Sequence, residues 1–74
     1  MNNSKARAKW LAHIGLSIRE WRLKRGMTQV ALACKMRIGN VVQCRRERGQ
    51  VDFPTWVLAE YAKQLRVPVT ALLP

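Results

Sequence analysis

Seventy-four residues allow one small domain, which buries only roughly 60% of the surface its unfolded chain exposes and has little room for an elaborate catalytic cleft. Fourteen Lys and Arg against four Asp and Glu give a formal net charge of +10, and nine of those fourteen cations fall between Arg19 and Arg48. A polyanion, most simply nucleic acid, is the expected partner; a membrane surface is the main competitor, disfavoured because the cations spread over several short elements.

Residues 1–9 read as a loose basic arm that frays into the first helix; terminal disorder is preferred over the alternative, in which Lys5, Arg7 and Lys9 reach along a phosphate backbone. No apolar run follows this start as a secretory leader would require, and no stretch approaches the ~20 apolar residues of a membrane span. The first helix is expected from Ala8 or Leu11 to Arg25. Trp10, Ile14, Ile18 and Trp21 recur in steps of four, four and three, one face of a helix. Gly15 weakens its interior, and Gly26 after Lys24 and Arg25 is a stop signal with favourable charge at the carbonyl end. Thr28 can cap a second helix running to about Met36, with Leu32, Ala33 and Met36 turned inward. Ile38 lies in the connection, and a third helix starts at Gly39 or Asn40 and ends at Gly49. A loop over residues 50–53 leads to Pro54 at the first turn of a fourth helix, whose inward stripe is Leu58, Tyr61, Ala62 and Leu65. Pro68 closes the next connection, and a short helix covers Val69 to Leu73. No strand pattern emerges, so the chain reads as five helices.

The second and third helical patterns are short, separated by a tight connection and set in the most basic part of the chain. That pairing suits one helix entering a DNA groove and another propping it. The sequence Gly26-Met27-Thr28-Gln29, then Leu32-Ala33, then Glu47-Arg48-Gly49, preceded by Ile18-Arg19-Glu20-x-Arg22 and followed by Pro54, Leu58, Ala62, Leu65-x-Val67 and Leu72, resembles the Cro/C1-type helix-turn-helix repressors, the xenobiotic-response-element family, over about Ile14 to Leu73. The resemblance implies an all-α, compact five-helix bundle of the lambda-repressor-like type, with residues 1–13 as the arm leading into helix 1 and residues 14–74 as the DNA-binding domain. It implies a two-fold dimer on operator DNA, with Asn40 to Arg48 in the major groove. Carried over by position, Asn40, Val41, Cys44 and Arg45 contact bases. Thr28, Gln29, Gln43, Arg46 and Arg48 contact phosphates, and Arg22 pairs with Glu47. Elementary chemistry agrees: helix N-termini bind phosphate oxygens, Arg can bond both acceptors of guanine, Asn both exposed groups of adenine, and Val41 can press on a thymine methyl.

Three positions depart from the family pattern. Gly39 stands where Ser or Thr usually caps the third helix. Gln43 replaces a buried aliphatic residue, and Arg46 replaces a large apolar one. A buried, unpaired guanidinium is very costly, so Arg46 is expected to pack its stem and send its charge to water or phosphate. A rotated third helix, with Ile38, Val41 and Val42 inward and Asn40, Gln43 and Arg46 reading bases, is the alternative to the family register, which is preferred.

Trp21 and Trp56 are expected as core or interface filler, and Trp10 as a cap on the core or a subunit contact. His13 is expected at the surface. Val69, Leu72 and Leu73 would close the core, form a dimer patch, or both. Cys34, Cys44 and His13 cannot make a tetrahedral metal site. Ser4, Ser17, the cysteines and the four acids form no nucleophile–base set by spacing. The expectation is therefore a cytoplasmic or nucleoid-associated, sequence-specific double-stranded DNA-binding regulator, a repressor acting as a homodimer, with no enzyme activity, cofactor, metal, membrane or small-molecule substrate. An antitoxin-like or anti-activator protein that binds a protein partner is the alternative, and a sequence-blind nucleoid binder the third.

Overall fold

The computed structural model describes residues 4–74. Four α-helices follow one another: α1 (Ser4–Lys24), α2 (Gln29–Met36), α3 (Asn40–Glu47) and α4 (Thr55–Leu65), then a 3-10 turn over Val69–Leu72. The fifth helix of the expected bundle is thus a single tight turn. The bonds formed there are Ala71 N to Pro68 O (2.9 Å) and Leu73 N to Thr70 O (3.3 Å), both of the three-residue kind.

The first helix begins earlier than expected. The stretch read as a loose arm is helical from Ser4, and no break separates residues 13 and 14; residues 1–3 lie outside the described residues. Ala6, Ala8, Lys5, Arg7 and Lys9 are strong helix formers. Arg7 also reaches the loop after α3, where its Nε donates to Asp52 Oδ1 (3.2 Å) and its Nη2 pairs with Oδ2. Arg7 is therefore tied to a carboxylate instead of extending along a phosphate backbone.

The core is built by α1, α2, α4 and the closing turn. Ile14, Ile18, Leu32, Val57, Leu58, Tyr61, Ala62, Leu65 and Leu72 form one buried cluster, with Trp21, Met27, Met36, Phe53, Val67 and Leu73 packed at its margin. Leu72 is fully buried while Val69 is exposed, so the C-terminal turn closes the core with one face. Arg25 locks α1 to the end of α4: its Nε donates to Leu65 O (2.8 Å) and its Nη2 to Arg66 O (3.2 Å), satisfying carbonyls that the helix leaves orphaned. Trp56, expected as core or interface filler, is 71% exposed on the first turn of α4 and so is not part of the core, and Trp10 is 45% exposed.

Helix α3 contributes no apolar side chain to this core. Its buried residues are Gln43 and Glu47, while Val41 and Val42 are exposed. The family register is therefore the one adopted, and the rotated alternative with Ile38, Val41 and Val42 inward is not. The α1–α3 approach is close enough that a Cβ on Gly15 would lie 2.5 Å from Arg46 O and 2.6 Å from Glu47 O. The glycine that weakens the helix locally is what lets α3 dock.

Two cap positions carry cost. Arg37, between α2 and α3, and Arg66, after α4, sit in the left-handed region (φ 59° and 60°) that a side chain disfavours. Arg37→Gly is expected to stabilise the fold by roughly 0.5–1 kcal/mol, since relief of the left-handed penalty exceeds the extra entropy of the unfolded chain. A thermal melt shifted upward by a few degrees checks this; a downward shift would show that the arginine side chain contributes more than its backbone costs.

Candidate nucleic-acid interface

The α2–α3 pair forms a helix-turn-helix. Thr28 caps α2, its Oγ accepting from Ala31 N (3.0 Å), and this leaves the amides of Gln29 and Val30 without intrahelical partners at an exposed helix end. The turn passes through left-handed Arg37 and Ile38 to Gly39, whose extended backbone starts α3 with no side-chain cap. Helix α3 then presents Asn40, Val41 and Arg45 to solvent, Val41 being 64% exposed, with Arg48 exposed after the last turn and Cys44 half-buried. Neither α2 nor α3 carries an outward carboxylate: the single acid on the two helices is Glu47, and it is buried.

Glu47 is the hub of the polar contacts that seat α3. Its Oε2 accepts from Arg22 Nε (2.7 Å) and Gln43 Nε2 (2.8 Å), and its Oε1 from Arg22 Nη2 (3.1 Å) and Gln29 Nε2 (3.1 Å). Arg22 also donates through Nη1 to Met27 O (2.9 Å) in the α1–α2 turn. Because a carboxylate only accepts, the Gln43 amide nitrogen must face it. Its oxygen is then left for Tyr61, whose hydroxyl donates at 2.6 Å and in turn accepts from Arg46 Nη1 (3.3 Å). The chain of bonds runs from Arg46 through Tyr61 and Gln43 to Glu47 and Arg22, and Gln29 joins it at Glu47, so that it links α1, α2, α3 and α4.

Electrostatics follow from this arrangement. Burial alone would raise the Glu47 pKa, but hydrogen bonds from Arg22, Gln43 and Gln29, with the Arg22 charge, outweigh it and hold the carboxyl below its ordinary value of 4.5. Burial pushes the Tyr61 hydroxyl up, against the opposing pull of Arg46, so it remains a protonated donor.

Two residues expected to contact phosphates, Gln43 and Arg46, turn toward the bundle instead. Gln43 is fully buried and spends its amide on Glu47 and Tyr61, so it does not face a duplex. Arg46 folds back over aromatic rings, its Cζ 5.7 Å from the centroids of both Phe53 and Tyr61. Its Nε is buried without a partner, a cost that the two cation–π contacts offset. Gln29 has one amide proton engaged by Glu47, which orients the side chain at the head of α2. Thr28 and Arg48 are exposed at the two ends of the pair, and Arg22 and Glu47 face each other as described. Tyr61 and Phe53 were not foreseen as part of the site. The signal available was a glutamine at a buried position together with the one tyrosine of the chain on the inward stripe of α4, since a buried amide requires such a partner.

A short exposed helix, propped by a second one across a tight turn and rimmed with cations, defines a helix-turn-helix DNA-binding domain. No protein-family model and no curated protein sequence matches the chain; solved structures carry the likeness. The DNA-binding domain of BldD is 30% identical over 90% of this chain and 97% of its own, with a TM-score of 0.82. The S. venezulae BldD DNA-binding domain is 31% identical over 89% and 99%, with a TM-score of 0.80. The restriction-modification controller protein C.AhdI from Aeromonas hydrophila is 25% identical over 85% and 96%, with a TM-score of 0.79. The chain belongs to the Cro/C1-type helix-turn-helix regulators.

Proposed function

We propose that the protein is a DNA-binding transcriptional regulator that inserts α3 into the major groove of a two-fold symmetric operator and represses by occupying a promoter. One observation carries this reading: the outward face of α3 exposes Asn40, Val41 and Arg45 with no carboxylate beside them, while every buried side chain of the helix anchors it to the bundle. Relatives described as DNA-binding domains and a controller protein support it. In this assignment Arg45 bonds a guanine, Asn40 an adenine, and Val41 meets a thymine methyl, with Cys44 at the edge of the contact. Arg48, Thr28, the free amides at the head of α2 and the second amide proton of Gln29 hold phosphates. Two copies would read half-sites about one helical turn apart. The role is that of a binding protein in the bacterial cytoplasm or nucleoid, not an enzyme.

Selection of bound duplexes from a random pool tests this. The expected result is a two-fold symmetric consensus; enrichment of no sequence would identify a sequence-blind binder instead. On the selected site, Arg45→Ala is expected to cost about 1–3 kcal/mol and relax preference at one base pair in each half-site. Equal weakening on all sequences, measured by competition at fixed salt, would reassign Arg45 to phosphate.

A further inference from the structure

A groove away from α3 gathers five cations. Two open hollows of about 430 and 390 Å³ adjoin along Lys35, Lys63 and Gln64; Arg25 and Arg66 line the first, Arg37 and Trp56 the second. Among the described residues the lining holds one carboxylate, Glu60, which accepts from Gln64 Nε2 (3.1 Å), and no ion pair joins any of the five cations to an acid. No residue of α3 lines either hollow, and neither does Thr28 or Gln29. The groove is thus built from the ends of α1, α2 and α4, separate from the DNA-reading face.

Three properties suit it to recognition. First, its charge is largely uncompensated, five cations against the one carboxylate of Glu60. Five like charges along two adjoining hollows repel one another, and an anionic occupant would relieve that repulsion. Second, part of it is rigid. Arg25 is clamped by Leu65 O and Arg66 O and stacked 5.1 Å from the Trp21 ring centroid, so little freedom is lost when it meets a ligand. Third, the groove ends at Trp56, 71% exposed, a large ring beside a row of cations. A duplex backbone would supply phosphates for the cations but nothing for the indole. An acidic peptide with one bulky apolar side chain satisfies both, the ring anchoring and the charges setting register.

We propose that this groove is a second recognition surface, which takes an acidic protein segment bearing an aromatic or large aliphatic residue while α3 holds duplex DNA. A labelled synthetic peptide of Asp and Glu with one central Phe is the probe, read by fluorescence anisotropy on the full chain. It is expected to bind free protein and the preformed protein–DNA complex alike. The charge reversals Lys35→Glu and Lys63→Glu together should weaken it by roughly tenfold or more. Trp56→Ala should weaken this peptide severalfold but leave an all-acidic peptide without Phe unaffected. All three positions are exposed, and an unchanged thermal melt verifies that the variants are folded. Arg45→Ala should leave peptide binding as it was. The proposal is overturned if one equivalent of specific duplex displaces the peptide, if the double reversal binds it normally, or if inorganic polyphosphate competes equally well with and without Trp56.

Discussion

Glu47→Ala is expected to lower the stability of the fold by about 3–5 kcal/mol, the cost of leaving a buried guanidinium unpaired. A chain of this length holds roughly 4–11 kcal/mol in total, so the variant should be largely unfolded at elevated temperature. The size of the effect follows from geometry. Arg22 is 7% exposed and directs two of its donors at Glu47, and Gln29 and Gln43 each lose an acceptor at the same moment. Urea or thermal melts measure it. A loss below about 1 kcal/mol, the value of an exposed pair, would mean that water reaches Arg22 in the folded protein.

The same carboxylate makes stability depend on pH. Its folded pKa lies below the ordinary 4.5, so the unfolded chain binds more protons on the acid side. Stability from Glu47 is therefore complete above its unfolded pKa and declines as pH falls through the folded one. Melts of the wild type should weaken progressively below about pH 4.5, and Glu47→Gln should flatten that acid limb while lowering the plateau at neutral pH. An acid limb as steep in Glu47→Gln as in the wild type would assign the pH dependence to other carboxylates.

Gly15→Ala should also destabilise, by about 2–3 kcal/mol, although helix propensity alone favours alanine by roughly 1 kcal/mol. The two considerations carry opposite signs, which makes the experiment decisive. The new methyl would meet the backbone oxygens of Arg46 and Glu47 at 2.5 and 2.6 Å, and neither can rotate away as a flexible side chain could. Relief requires α3 to move off α1, which stretches the Arg22–Glu47 bonds and tilts the reading helix. A melting temperature lower by roughly 10–20 °C, with weaker operator binding, is the expected pair of results. A higher melting temperature would show that the approach of α3 to α1 is looser in solution.

Much of this architecture was legible along the chain. Helix α2 and its Thr28 cap, the start of α3, the inward stripe of α4 and the pairing of Arg22 with Glu47 all follow from local chemistry or from spacing shared with a family. Structure and expectation differ where distant contacts rule. The stretch read as a loose arm is helical from Ser4, and its Arg7 meets Asp52, on a loop far along the chain. Arg46 was expected to reach outward because its aromatic platform, Phe53 and Tyr61, lies on other elements. Of the two places expected for Trp56, core or interface, the core is excluded, because the residue lies off the stripe that the core covers.

Periodicity, caps and charge were thus sufficient for the helical class, the helix-turn-helix and a basic, DNA-directed surface, since each depends on residues within a turn or two of one another. How α3 is seated was set by packing between elements. A buried glutamine or arginine has no meaning along the chain until its hydrogen-bond partners arrive from other helices, and here they come from α1, α2 and α4 at once. For that reason the reading helix rests on a polar lattice and a glycine contact in place of an apolar face, which only assembly in three dimensions reveals.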